Sequence, residues 1–135
     1  MEETLILIKP DGMRRGLIGE VIRVFEDNGL TLEKLKIDLL DRKRAERFYS
    51  VHEGKEFYPD LLEYITSGKI AAIILSGENA IERVREIVGD TDPRIANAGT
   101  IRRKYGLTMR RNTIHASDCG QSFGDEVKVI FNESP

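Results

Sequence analysis

His115 stands in a short apolar run, Thr113-Ile114-His115-Ala116, directly after the most cationic stretch of the chain. From Pro93 to Ser117 there is no acidic residue, while Arg94, Arg102, Arg103, Lys104, Arg110 and Arg111 supply positive charge. A neutral imidazole, with an unperturbed pKa of about 6.5, offers a lone pair to an electrophilic phosphorus, and guanidinium groups around it would neutralise a transferred phosphoryl group. The competing reading is a hydrogen-bonded core histidine beside a solvated basic loop. Lys9 closes the first strand, where a side chain can reach into a site or merely snorkel to water. Arg85 reads most simply as a surface partner of Glu82 or Glu86, and His52, between Val51 and Glu53, as structural or surface.

Other phosphate and metal grammars are not met. Gly54-Lys55 and Gly68-Lys69 lack the following Ser or Thr of a phosphate-binding loop, and no Gly-x-Gly-x-x-Gly follows a strand. Gly12, Gly16 and Gly19 are read as turn and packing glycines leading into a helix. His52 and His115 are far apart in sequence and have no carboxylates at ligand spacing, so no protein metal site is expected and any metal ion would arrive with the substrate.

The elements that must position these residues follow from pattern. Thr4 to Ile8 reads as a strand stopped and turned by Pro10-Asp11-Gly12. Ile18, Val21, Ile22 and Phe25 recur at helical spacing until Asn28-Gly29. Leu30 to Leu39 is a second extended segment, alternating from Leu35 onward. Between Arg42 and Ser67 a helical hairpin, interrupted near Gly54 and Pro59, carries Phe48, Tyr49, Phe57, Tyr58, Leu61, Leu62 and Ile65. Lys69 to Leu75 reads as a strand buried on both faces, and Ile81, Val84, Ile87 and Val88 mark a helix closed by Gly89. Thr91 to Arg111 reads as irregular, Thr113 to Ala116 as a short strand, and Glu126 to Phe131 as a final helix. That order predicts an α/β fold, an α+β sandwich of the ferredoxin-like βαββαβ type: an antiparallel four-stranded sheet covered by helices, with a helical hairpin insertion.

The 135 residues suit one domain, 1–135. With 40% apolar and 33% charged residues, disorder is not expected. The longest aliphatic run, Ile70 to Leu75, is far short of a membrane span, and Met1 is followed by Glu2 and Glu3 rather than a basic leader. A lone Cys119 fits a reducing compartment, so a cytoplasmic protein with no membrane association is expected. The net charge of -2 and the sparse aromatics argue against a nucleic-acid groove and for a small phosphorylated ligand.

Lys9-Pro10-Asp11-Gly12, Gly99-Thr100-Ile101-Arg102 and Asn112-Thr113-Ile114-His115-Ala116-Ser117-Asp118 together resemble the nucleoside diphosphate kinase family. The similarity runs from Thr4 to about Phe131. It implies reversible transfer of the terminal phosphate from a nucleoside triphosphate, typically ATP, to a nucleoside diphosphate, in two half-reactions through a phosphohistidine. By position it implies His115 as the nucleophile through Nδ1, with Glu126 holding the other ring nitrogen and Ser117 in support. Arg85, Thr91 and Arg102 match the family's phosphate contacts, with Tyr49 and Lys9 close to the transferred group. Phe57 would stack on the base, Leu61 and Met109 would line its other side, and Lys9 and Asn112 would bind the sugar. Mg2+ is expected to bridge the β- and γ-phosphates, and a homo-oligomer, a tetramer or hexamer, is the implied assembly.

One segment departs from that pattern: Cys119-Gly120-Gln121-Ser122-Phe123-Gly124-Asp125 stands where relatives carry a Ser followed by acidic and small residues. Two glycines cost a helix about 1 kcal/mol each relative to Ala. The departure keeps a second reading in play, a nucleotide-binding protein without turnover. A third, a ferredoxin-like nucleic-acid binder, predicts steeply salt-dependent affinity.

Overall fold

The computed structural model describes residues 1–89, 93, 94, 96–106 and 113–132. Strand β1 (Glu2–Ile8) leads into a one-turn helix α1 (Pro10–Arg14) and then α2 (Ile18–Asp27), β2 (Thr31–Asp38) and α3 (Arg42–Phe48). A 3-10 turn (Ser50–His52), α4 (Tyr58–Ile65), β3 (Ile70–Gly77), α5 (Ala80–Val88), α6 (Ile101–Tyr105), β4 (Ile114–Ala116) and α7 (Gly120–Phe131) complete the order. The strands form an antiparallel sheet in the order β2-β3-β1-β4, the architecture expected from the pattern of elements.

Strand alternation divides the core in two. Leu5 and Leu7 of β1, with Ile70, Ala72 and Ile74 of β3, face Ala45, Phe48, Leu61, Leu62, Ile65, Val127 and Ile130 on α3, α4 and α7. Ile6 and Ile8, with Ala71, Ile73 and Leu75, face Val21, Phe25, Val84 and Val88 on α2 and α5. In β4, Ile114 and Ala116 join this second cluster. A period of two therefore turns the intervening His115 toward α3 and α7. The register pairs His115 with Leu7, one strand position from the end of β1 that leads to Lys9.

Three expectations need correction. Pro10-Asp11-Gly12 does not simply turn the chain; Pro10 occupies the first helical position, where its missing N–H costs nothing, and opens α1. The stretch read as irregular contains α6, capped by Thr100, whose hydroxyl accepts the Arg103 N–H at 3.3 Å. The last helix starts at Gly120 rather than Glu126: Phe123, Val127 and Ile130 recur at helical spacing and are buried, and that packing outweighs the cost of the glycines. The alternation from Leu35 onward marks strand β2, as expected. On the edge strand β2, Leu35 and Ile37 are 46% and 48% exposed, and Leu39, just past the strand, is 58% exposed.

Candidate active site

β4 delivers His115 to the floor of a cavity of about 610 Å3, bounded by α3, the 3-10 turn and α7. Its ring meets Phe48 edge-on, with centroids 5.0 Å apart and planes at 67°. Nε2 lies 2.9 Å from Oε2 of Glu126, and the Ser117 hydroxyl donates to Oε1 of the same carboxylate at 2.6 Å. Ser117 is itself fixed, since its backbone N–H donates to the Leu5 carbonyl at 3.1 Å. A carboxylate opposite Nε2 favours a proton there and leaves the Nδ1 lone pair exposed in the neutral ring.

Cations converge on the same floor. Lys9 follows β1, its backbone N–H donating to the Thr113 carbonyl at 2.8 Å, and its side chain is buried. Burial first, and then the charge of Arg102, push its pKa down to about 7, with Asp11 opposing them. The Arg102 guanidinium is held by the carbonyls of Gly89 at 2.9 Å and Ile114 at 2.8 Å, beside the strand residue that precedes His115. Arg85 pairs with Asp118 rather than with Glu82 or Glu86, and both residues line the cavity. Tyr49 is buried, and burial, reinforced by Glu126, raises its pKa against the opposing pull of Arg102, so it remains a phenol.

On the opposite wall stand Phe57, half-buried, and Leu61, buried. His52, read from sequence as structural or surface, lines this wall too. Its ring centroid is 6.0 Å from that of Tyr49 and 5.4 Å from that of Phe57, and its Nδ1 is 3.2 Å from Lys55 Nζ. Burial chiefly, then Lys55 and His115, lower its pKa, with Asp118 acting the other way. The available signal was the three-residue interval from Tyr49, since a 3-10 turn eclipses side chains at i and i+3. Thr91, Met109 and Asn112 lie outside the described residues, as do Arg110 and Arg111 of the basic stretch.

A buried carboxylate behind an imidazole, facing three cations and an aromatic wall, suits transfer of an anionic group. Comparison with known proteins gives that chemistry a family. The sequence profile described as Nucleoside diphosphate kinase matches residues 2–135. The chain belongs to the nucleoside diphosphate kinase family. Over 132 residues it is 53% identical to the nucleoside diphosphate kinase of Staphylothermus marinus, covering 98% of this chain and 94% of that protein. It is 49% identical over 133 residues to that of Hyperthermus butylicus, covering 98% and 94%. The ligand-free crystal structure of the Encephalitozoon cuniculi nucleoside diphosphate kinase superposes with a TM-score of 0.96 at 36% identity, covering 98% of this chain and 90% of that one. The Halobacterium salinarum nucleoside diphosphate kinase, solved in complex with CDP, gives 0.94 at 36% identity, covering 98% and 88%. As a nucleoside diphosphate kinase, the chain is a phosphotransferase that moves the γ-phosphate of a nucleoside triphosphate to a nucleoside diphosphate.

Proposed function

We propose that the transfer runs through His115 by a two-step exchange in the cavity above it. The Nδ1 lone pair attacks the γ-phosphorus of ATP; the bond from that phosphorus to the β,γ-bridging oxygen breaks, and the nucleoside diphosphate leaves with the electron pair. An incoming nucleoside diphosphate then attacks the phosphohistidine through a terminal β-oxygen and departs as the triphosphate. Glu126 keeps the proton on Nε2 and balances the positive charge the ring acquires, while Ser117 orients Glu126. The single observation that carries this reading is the carboxylate shared by His115 and Ser117 at 2.9 and 2.6 Å, beside the cations.

Lys9, Arg85 and Arg102 neutralise the phosphate oxygens and the Thr91 hydroxyl donates a hydrogen bond to them; in other phosphoryl-transfer systems one such arginine is worth about 10³ to 10⁵ in rate. Tyr49 donates its phenol hydrogen to the transferred group. Phe57 stacks on the base with Leu61 and Met109 beside it, and Lys9 and Asn112 take the sugar hydroxyls. A π-face is common to all bases, so this contact favours broad nucleotide use. Among the described residues no three His, Cys, Asp or Glu side chains gather as metal ligands. The exposed carboxylates at the cavity, Asp118 and Asp125, would suit a magnesium ion carried on the nucleotide, and such an ion would offset charge on the phosphate oxygens.

We read residues 1–135 as one domain acting in the cytoplasm, where a lone exposed thiol such as Cys119 stays reduced. No helix among the described residues is long and apolar enough to cross a membrane. Assembly as a homo-oligomer, a tetramer or hexamer, is supported by the exposed apolar side chains of Leu35 and Ile37 on the edge strand β2, a surface that another copy would cover.

Initial-rate kinetics test the mechanism. With ATP varied at several fixed concentrations of a nucleoside diphosphate, double-reciprocal lines should be parallel; a common intersection would mean both nucleotides bind before transfer and would overturn the two-step reading.

A further inference from the structure

One turn along α3 and α7 from the cavity, three elements meet at one side chain. Arg44 Nη2 donates to Asp38 Oδ2 at the end of β2 at 2.7 Å and to the Ile130 carbonyl of α7 at 3.0 Å, and its Nε reaches the Val129 carbonyl at 3.4 Å. Lys36 Nζ donates to the same Ile130 carbonyl at 2.9 Å and stands 3.3 Å from Asp38. The last four carbonyls of a helix have no partners within it, and its C-terminus attracts positive charge. Here both needs are met from outside the helix. Burial alone would raise the Asp38 pKa, but hydrogen bonds from Arg44, the Leu39 N–H and Lys36 outweigh it and hold the carboxyl below its ordinary value.

The spacing ties this group to the reaction. Phe48, whose ring abuts His115, lies four residues beyond Arg44 on α3; Glu126 lies four residues before Ile130 on α7. Residues four apart share one helix face a single turn apart. The bond from Arg44 to Ile130 is thus one turn from both side chains that bracket the histidine, and any slide of α7 along α3 would carry Glu126 relative to Nε2.

We propose that Arg44 is a positioning residue for phosphoryl transfer: by fastening α3 and β2 to the end of α7, it sets the register in which Glu126 meets His115. This rests on the role proposed above for Glu126. Arg44 does not line the cavity and its hydrogen bonds go to Asp38, Val129 and Ile130, so its loss should change the transfer step and not binding.

The test is a double-mutant cycle with Arg44→Met, Glu126→Gln and their combination, read as the single-turnover rate of His115 phosphorylation, the Kd for ATP, and the 15N NMR tautomer ratio of His115. Arg44→Met should slow phosphorylation about two- to tenfold, leave the Kd unchanged, and raise the fraction of His115 carrying its proton on Nδ1. In the Glu126→Gln background it should cost nothing further, and Arg44→Lys should recover part of the rate. If Arg44→Met does not fold, Arg44→Lys carries the same comparison. An unchanged rate and tautomer ratio with only a lower melting temperature, or an equal loss in both backgrounds, overturns the proposal. If Glu126→Gln alone transfers at the wild-type rate, the role of Glu126 falls and takes this proposal with it; if that variant is slow and Arg44→Met is not, only this proposal falls.

Discussion

Glu126 reaches His115 from a helix whose first five residues include two glycines, and still closes to 2.9 Å on Nε2. The contact is held from three directions: by Ser117 on the other carboxylate oxygen, by the burial of Phe123 and Val127, and by the side chains that cap the far end of α7.

Removing the charge while keeping the shape isolates the contribution of Glu126. The comparable carboxylate behind a metal-bound histidine is worth about 10- to 100-fold, and Glu126→Gln should slow phosphorylation of His115 by a similar factor with little change in KM. Ser117→Ala should cost less, since it loosens Glu126 without removing it. Rapid-quench measurement with ATP checks both; a full-rate Glu126→Gln variant would mean the ring needs no carboxylate.

Lys9 should take up a proton when nucleotide binds. Its pKa of about 7 in the free protein leaves it largely neutral at pH 8, and an arriving polyphosphate favours the charged form. Calorimetric titration with a nucleoside diphosphate at pH 8, in buffers of different ionisation enthalpy, should report net proton uptake that Lys9→Met abolishes. Stability carries the matching sign. The unfolded chain holds the Lys9 proton up to pH 10.5 and the folded one only to about 7. Stability from this group therefore rises with pH between those values, and the penalty is fully present below about 7. An absence of proton uptake would place the Lys9 charge elsewhere.

Arg85 reaches the cavity already paired with Asp118, with side chains 49% and 73% exposed, so solvent screens the pair and nucleotide can compete for the guanidinium. Asp118→Asn should leave the melting temperature nearly unchanged and tighten nucleoside diphosphate binding about 1.5- to 5-fold at low magnesium. Fluorescence titration measures this; weaker binding would mean Asp118 helps hold the ligand.

How much of this was legible in the sequence depended on how local each signal was. The buried runs of β1 and β3 and the amphipathic repeats of α2 and α5 carry their own periodicity, and they fix the sheet and both core faces. His115 stood out as a polar residue in a short apolar run beside a cationic stretch, but that pattern also fits a core histidine, and its role as nucleophile came from the family resemblance. The start of α7 was not legible, because its glycines argue against helix locally and only packing of Phe123 and Val127 against the sheet reverses that. The Arg85 and Asp118 pair spans 33 residues, and the nearby Glu82 and Glu86 pointed the wrong way. His52 was hidden for a related reason: a 3-10 turn, with no hydrophobic period of its own, brings it over Tyr49.

The most direct measurement is the intact mass of the protein after brief exposure to ATP, then after addition of a nucleoside diphosphate. The wild type should gain one phosphoryl group, labile to acid and stable to alkali, and lose it to the diphosphate, while His115→Ala gains none. A His115→Ala protein that still acquires and hands on the phosphoryl group at the wild-type rate would contradict the assignment of the nucleophile.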